Sequence, residues 1–126
     1  MKITLKNREI IKHINDIVDI SNEEKESGKS KFTTKINFKI HKNFKKLLKE
    51  YEEYIEFKNK IDEKHIKVDE NDEKSVDDIC QYNQELNELL DSVCELDVAT
   101  IKEDDIFACD DVTIAQIDAI SFMIQE

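Results

Sequence analysis

A chain of 126 residues has room for one domain and one hydrophobic core. A single glycine and no proline exclude the sandwiches, barrels and doubly wound sheets, which need many tight turns. Charged residues make up 39% of the chain, against about 25% in an ordinary domain, and the net charge of −11 weighs against direct binding to nucleic acid.

In chain order, Met1, Ile3 and Leu5 alternate with Lys2, Thr4 and Lys6, the pattern of a half-buried strand. Asn7 reads as the cap of a first helix, with Ile10, Ile11, Ile14, Ile17 and Val18 on one stripe. This helix is expected to end near Ile20 or Ser21, before a polar loop, "SNEEKESGKS". A long helix follows from about Lys35 to about Glu63, capped by Thr34 or Asn37. Its inner face carries Ile36, Ile40, Phe44, Leu47, Leu48, Tyr51, Tyr54 and Ile55.

"KVDENDEKS" reads as a second polar loop, with Ser75 capping a third helix built on Val76, Ile79, Leu86, Leu90 and Val93. "ELDVATI" alternates and suits a strand that pairs with the first, and "KEDDIFACDD" reads as a linker. Thr113 and Gln116 have capping-box spacing for a short last helix, with Ile114, Ile117, Ile120 and Ile124 facing inward. The expected fold is mainly α (α+β) in a single domain over residues 1–126. It has about four helices, two of them long and antiparallel. A small two-stranded β element joins the N-terminal strand to residues near 96–101, laid on the helices because two strands bury little alone.

No apolar run approaches the roughly 18 residues of a membrane span, and "MKITLKNREI" has no signal-peptide core. A soluble, intracellular protein without membrane contact is expected. Cys80, Cys94 and Cys109 are odd in number, scattered and without a C-x-x-C pair, so they read as small buried hydrophobes in a reducing compartment.

Charge is divided by region. Lys29–Lys49 holds eight lysines and no acidic residue, whereas Asp62 to the C-terminus holds twenty acidic residues and four lysines. On the long helix Lys35, Lys39, Lys42, Lys46 and Lys49 form one stripe opposite the apolar face. One reading is a solvated face, paired with Glu50 and Glu53 or with the acidic half of the same fold. The other is an anion site at the helix start, where backbone N–H groups favour phosphate and the dipole disfavours cations. Its candidate residues are Lys35, Lys39, Lys42, Asn43 and Lys46, with Phe38 and His41 as stacking partners.

Catalytic and metal motifs are set aside. One glycine excludes phosphate loops, there is no H-E-x-x-H or G-x-S-x-G, and His13, His41 and His65 are far apart, His13 reading as a packing residue. "DENDEKSVDDIC" mimics a calcium loop, but Lys74 stands where glycine is required and Cys80 where the bidentate Glu belongs. No enzyme activity, catalytic residue, metal or cofactor is expected.

The segments "KITLKNREI", "TTKINFKIHKNFKKLLKEYEEY", "YNQELNELLDSVCELDVATI" and "AISFMIQE" together resemble a family of small phage and prophage proteins of low-GC Gram-positive bacteria. The chain departs from that pattern at "EEKESGKSKF", where the relatives read a compact "LPVK"-like turn. The resemblance implies phage origin, the cytoplasm of the bacterial host and a small mixed helical domain. It brings no settled activity.

Three functions follow for a non-catalytic phage protein. The first is interference with host defence, by sequestering an anionic, nucleotide-like signal on the basic helix start or by blocking a defence protein. A homo-oligomer built on the helix faces would accompany it. The second is anti-CRISPR-like nucleic-acid mimicry by Asp69, Glu70, Asp72, Glu73, Asp77 and Asp78. The third is an interaction role in virion assembly.

Overall fold

The structure, a computed structural model, describes residues 1–125. Strand β1 (Lys2–Lys6) runs directly into helix α1 (Asn7–Ser27), and a short connection leads to helix α2 (Thr34–His65). Helix α1 is longer than the apolar stripe predicts, because "SNEEKES" is helical. Glu and Lys are good helix formers, and nothing breaks the run before Gly28. Gly28 adopts φ 72° and donates its N–H to the Glu24 carbonyl at 2.9 Å, an αL stop that suits glycine.

The caps also differ from expectation. Asn7 is the first helical residue of α1, and its side chain donates to the Leu89 carbonyl at 2.7 Å. The cap position falls on Lys6, whose N–H donates to Glu9 Oε1 at 3.0 Å, so the helix start is bridged by the Glu9 carboxylate and not by the Asn7 side chain. Helix α2 is capped by Thr33, whose hydroxyl accepts the Ile36 N–H at 3.3 Å. The segment "KINFKI", whose alternation would also suit a strand, is helical.

The "KVDENDEKS" segment is a hairpin rather than a loop: β2 (Ile66–Val68) pairs antiparallel with β3 (Lys74–Val76). The Asp69 carboxylate makes the turn by accepting the N–H groups of Asn71 at 2.8 Å and Glu73 at 2.9 Å. Ser75 lies within β3, and Asp78 caps helix α3 (Ile79–Asp91) by accepting the Gln81 N–H at 3.1 Å. The same Asp69 turn accounts for the calcium-loop look-alike.

Strand β4 (Val93–Asp97) pairs antiparallel with β1, setting Ile3 against Leu96 and Leu5 against Cys94. The pairing is the expected one, but it covers 93–97 rather than 96–101. Beyond it, β5 (Ile101–Lys102) pairs in parallel with β6 (Ile124–Gln125). The expected linker holds helix α4 (Glu103–Phe107), whose first turn carries Glu103, Asp104 and Asp105, the charge a helix N-terminus favours. Helix α5 (Ile114–Ile120) starts at the expected Thr113–Gln116 capping box, and a 3-10 turn follows at Ser121–Met123. Among the described residues there are therefore five α-helices, not about four.

The core lies where α1 meets α2 and the last third of the chain closes over them. Ile10, Ile14, Ile17 and Ile20 from α1 face Ile36, Ile40 and Leu47 from α2, with Leu5, Leu96, Val98, Ile101, Ile106, Ile120 and Met123 completing the cluster. Burying each such side chain stabilises the fold by about 1.5–3 kcal/mol. Ile114 departs from expectation: it is 80% exposed, while Gln116, Ala119 and Ile120 form the inward face of α5. Among the described residues no helix is long and apolar enough to cross a membrane.

Candidate functional site

The basic stripe of α2 is where the sequence places an anion site, and the fold uses much of it as an internal clamp. Lys35 Nζ lies 3.2 Å from Asp105 Oδ2, and Lys39 Nζ donates to the Thr100 carbonyl at 2.7 Å. Lys46 Nζ donates to the Asp97 carbonyl. Asn43 is fully buried and holds Ala99 at two points, Oδ1 accepting its N–H at 2.7 Å and Nδ2 donating to its carbonyl at 2.9 Å. These four residues grip the strand-to-helix segment 97–105. Asn43 therefore has no free face for a ligand.

The remaining candidates are not gathered around them. Lys42 sits over the ring of the exposed Phe38, 5.0 Å from its centroid. Lys42, Lys45 and Lys46 line a shallow depression of about 440 Å³ with Asp97, Val98 and Ala99. His41 belongs to a different hollow, a groove of about 520 Å³ between α1 and α2 floored by Ile17, Ile20, Ile40 and Phe44. The structure thus keeps three lysines together and separates them from His41.

The acidic half is also partly engaged. Asp69 makes its own turn, Asp78 caps α3, and Asp77 binds His65, leaving Glu70, Asp72 and Glu73 at the hairpin tip. A second acidic region surrounds α4 and the connection to α5. Here Phe107 (72% exposed) and Ile114 (80% exposed) stand among Asp104, Asp110 and Asp111. A contiguous exposed apolar patch marks an interaction surface, whereas single exposed apolar side chains are ordinary. The sequence reading missed both: Phe107 fell in the presumed linker, and Ile114 was assigned inward. Its position directly after the cap Thr113, before the helix has a complete turn, was the available signal.

His65 anchors the hairpin. Its ring is buried, with Nδ1 2.9 Å from Asp77 Oδ1 and Nε2 2.6 Å from Glu85 Oε2. Two carboxylate acceptors are matched by two ring donors, so this setting favours the imidazolium. The hydrogen bonds to Asp77 and then Glu85 accordingly raise its pKa above the ordinary 6.5. Lys64 and His65 hold Glu85 below its usual range, and Tyr82 and Lys58 do the same for Asp62. The Tyr82 hydroxyl donates to Asp62 at 2.7 Å. Every polar tip in this cluster is already committed to another.

Of the other titratable groups, His13 is the expected packing residue, stacked on Phe122 at 4.2 Å, and burial lowers its pKa. Contrary to expectation Cys80 is exposed, while Cys94 and Cys109 are half-buried. Burial and the nearby Glu50 raise the Cys94 thiol. Compared with protein-family profiles, curated proteins and solved structures, the chain matches none of them.

Proposed function

We propose that the chain is a phage-encoded, non-catalytic binding protein that acts in the cytoplasm of the bacterial host by occupying a protein of the host's defence. One observation favours protein docking over small-anion capture: Lys35, Lys39, Asn43 and Lys46 grip residues 97–105 instead of converging on a pocket. Phe107 and Ile114 are the two most exposed of the five large apolar side chains outward on the acidic half, the others being Val68, Ile79 and Val93, and with the acidic residues beside them in sequence they suit a partner with basic and apolar groups. The non-catalytic part rests on His65 and Tyr82, whose polar atoms already bind Asp77, Glu85 and Asp62.

The test is the plating of a restricted phage on cells that carry a defence system and express this chain. Expression is expected to restore plating, and a Phe107→Ser/Ile114→Ser variant of unchanged circular dichroism is expected to lose that rescue. Undiminished rescue by the variant would remove the docking surface, and no rescue across defence systems would move the function to virion assembly.

A second reading keeps a foothold in the depression lined by Lys42, Lys45 and Lys46, where the ammonium groups could receive the phosphates of a nucleotide-like signal.

A further inference from the structure

The middle of α2 reads "FKIHKNFKKLLKEYEEYIEF", from Phe38 to Phe57. Read from its two ends inward, the stretch mirrors itself with the charge inverted. Phe38 matches Phe57, Lys39 matches Glu56, Ile40 matches Ile55, Lys42 matches Glu53, Phe44 matches Tyr51, Lys45 matches Glu50, and Leu47 matches Leu48. The one like-charged match is Lys46 with Lys49, next to the centre of the stretch; the Lys46 ammonium is turned to the Asp97 carbonyl and keeps its charge, so this match opposes the pairing.

Of this set Lys39 is bound to the Thr100 carbonyl and Glu56 lies 4.0 Å from Lys60, while other members are open. Phe38 is 59% and Phe57 53% exposed, and each carries a lysine over its ring, Lys42 at 5.0 Å and Lys60 at 4.7 Å. Lys42, Lys45 and Glu53 are exposed and have no ion-pair partner among the described residues. At about 100° per residue, Phe38, Lys42, Lys45, Lys46, Lys49, Glu53, Glu56 and Phe57 fall within roughly a third of the helix circumference.

We propose that a second copy of this chain docks on this face, the two α2 helices packing antiparallel about a two-fold axis at the level of Leu47 and Leu48. That register sets Phe38 against the partner's Phe57 and Lys42 against the partner's Glu53, with Lys45 about one turn from that Glu53 and Lys42 about one turn from the partner's Glu56. Each contact occurs twice, so the interface is self-complementary and closes as a dimer. A parallel pairing would instead oppose lysine to lysine and glutamate to glutamate.

Size sets the strength. Twenty residues of helix span about 30 Å, and a strip about 10 Å wide covers roughly 300 Å² per copy. This is well below the ~800 Å² per partner of a stable interface, so the dimer belongs to the weak, transient class. At about 0.15 M salt the Debye length is about 8 Å, which screens the repulsion between distant charges of two acidic molecules and leaves contact pairs effective. No residue of this face belongs to the Phe107/Ile114 surface, so either proposal can fail alone.

Sedimentation equilibrium of the full chain between about 1 μM and 1 mM tests it. Wild type is expected to shift from monomer to dimer. Lys42→Glu/Lys45→Glu and Glu53→Lys/Glu56→Lys are each expected to stay monomeric, because each sets like charges against one another twice. An equimolar mixture of the two variants is expected to form the dimer again, since the reversed charges then meet opposite ones. A wild-type monomer throughout, variants that dimerise like wild type, or a mixture that stays monomeric would each overturn the proposal. Should a charge-reversed pair fail to fold, Phe38→Ser alone makes the same test: loss of the dimer supports the register, and an unchanged dimer refutes it.

Discussion

Asn43 and Ala99 are joined by a two-point hydrogen bond across 56 positions of sequence, the buried amide accepting the Ala99 N–H at 2.7 Å and donating to its carbonyl at 2.9 Å. The peptide-like end of one side chain thus replaces the strand partner that Ala99 lacks, one residue beyond the bonds between Val98 and Met1. It fixes where the chain leaves β4 and, with Lys39 on Thr100, how it enters β5 and α4.

Asn43→Ala leaves two backbone groups without a partner. With about 1–3 kcal/mol for each unsatisfied buried group, a loss of about 2–6 kcal/mol is expected, read from the midpoint of urea unfolding. Asn43→Asp is expected to be no better, because its second oxygen would face the Ala99 carbonyl. A loss under about 0.5 kcal/mol for Asn43→Ala would mean the clamp does not hold this segment.

The His65 cluster predicts how stability changes with pH. The His65 pKa is raised above 6.5 in the folded chain, so its contribution is complete below that value and is lost as pH rises through the folded pKa. Glu85 is lowered from 4.5, so its contribution holds above that value and is lost as pH falls through the folded pKa. Thermal stability is therefore expected to be highest between pH 4.5 and 6.5 as far as this pair decides it. In His65→Gln, or in Asp77→Asn should that variant not fold, the decline above pH 6.5 is expected to flatten. Melting curves across pH check it, and an unchanged slope would dissociate the cluster from the fold.

Docking and anion capture part on nucleotide binding. With four of the five sequence candidates gripping residues 97–105, a panel of cyclic and ADP-ribose-type nucleotides is expected to leave the melting temperature unchanged. Binding at a hundredfold excess over Kd would stabilise the chain by about 2.7 kcal/mol, so a true ligand is visible. A shift in wild type that disappears in Lys42→Glu/Lys45→Glu would transfer the function to the lysine depression.

The three thiols are expected to react in a fixed order. Cys80 is exposed and should be modified first by a disulfide reagent at neutral pH. Cys94 should be slow, because burial and Glu50 keep its thiolate fraction low, and Glu50→Gln should speed it. Time-resolved mass mapping reads the order, and a Cys94 as fast as Cys80 would contradict the environment described for it.

Much of the local structure was decided by the sequence alone. The alternation of Ile3 and Leu5 made β1, the spacing of Ile10, Ile14 and Ile17 made the buried face of α1, and Thr113 with Gln116 made the start of α5. Even the pairing of β1 with β4 was legible, since each strand hides one face and needs a partner. These features depend on residues a few positions apart, and short-range periodicity carries them. So does the charge inversion along α2, which is written entirely within one helix.

Only the tertiary structure decided what the polar groups do. Lysine at a helix start reads the same whether it meets a phosphate or the Thr100 carbonyl 61 positions away, and Asn43 looks like any surface amide until Ala99 closes on it. The Asp69 turn converted a polar run into a hairpin, and His65 acquired Asp77 and Glu85 only once that hairpin and α3 had folded back. Periodicity tells which side of an element is buried. The partner of a charge or an amide is set by the path of the chain between them, and no local pattern encodes that path.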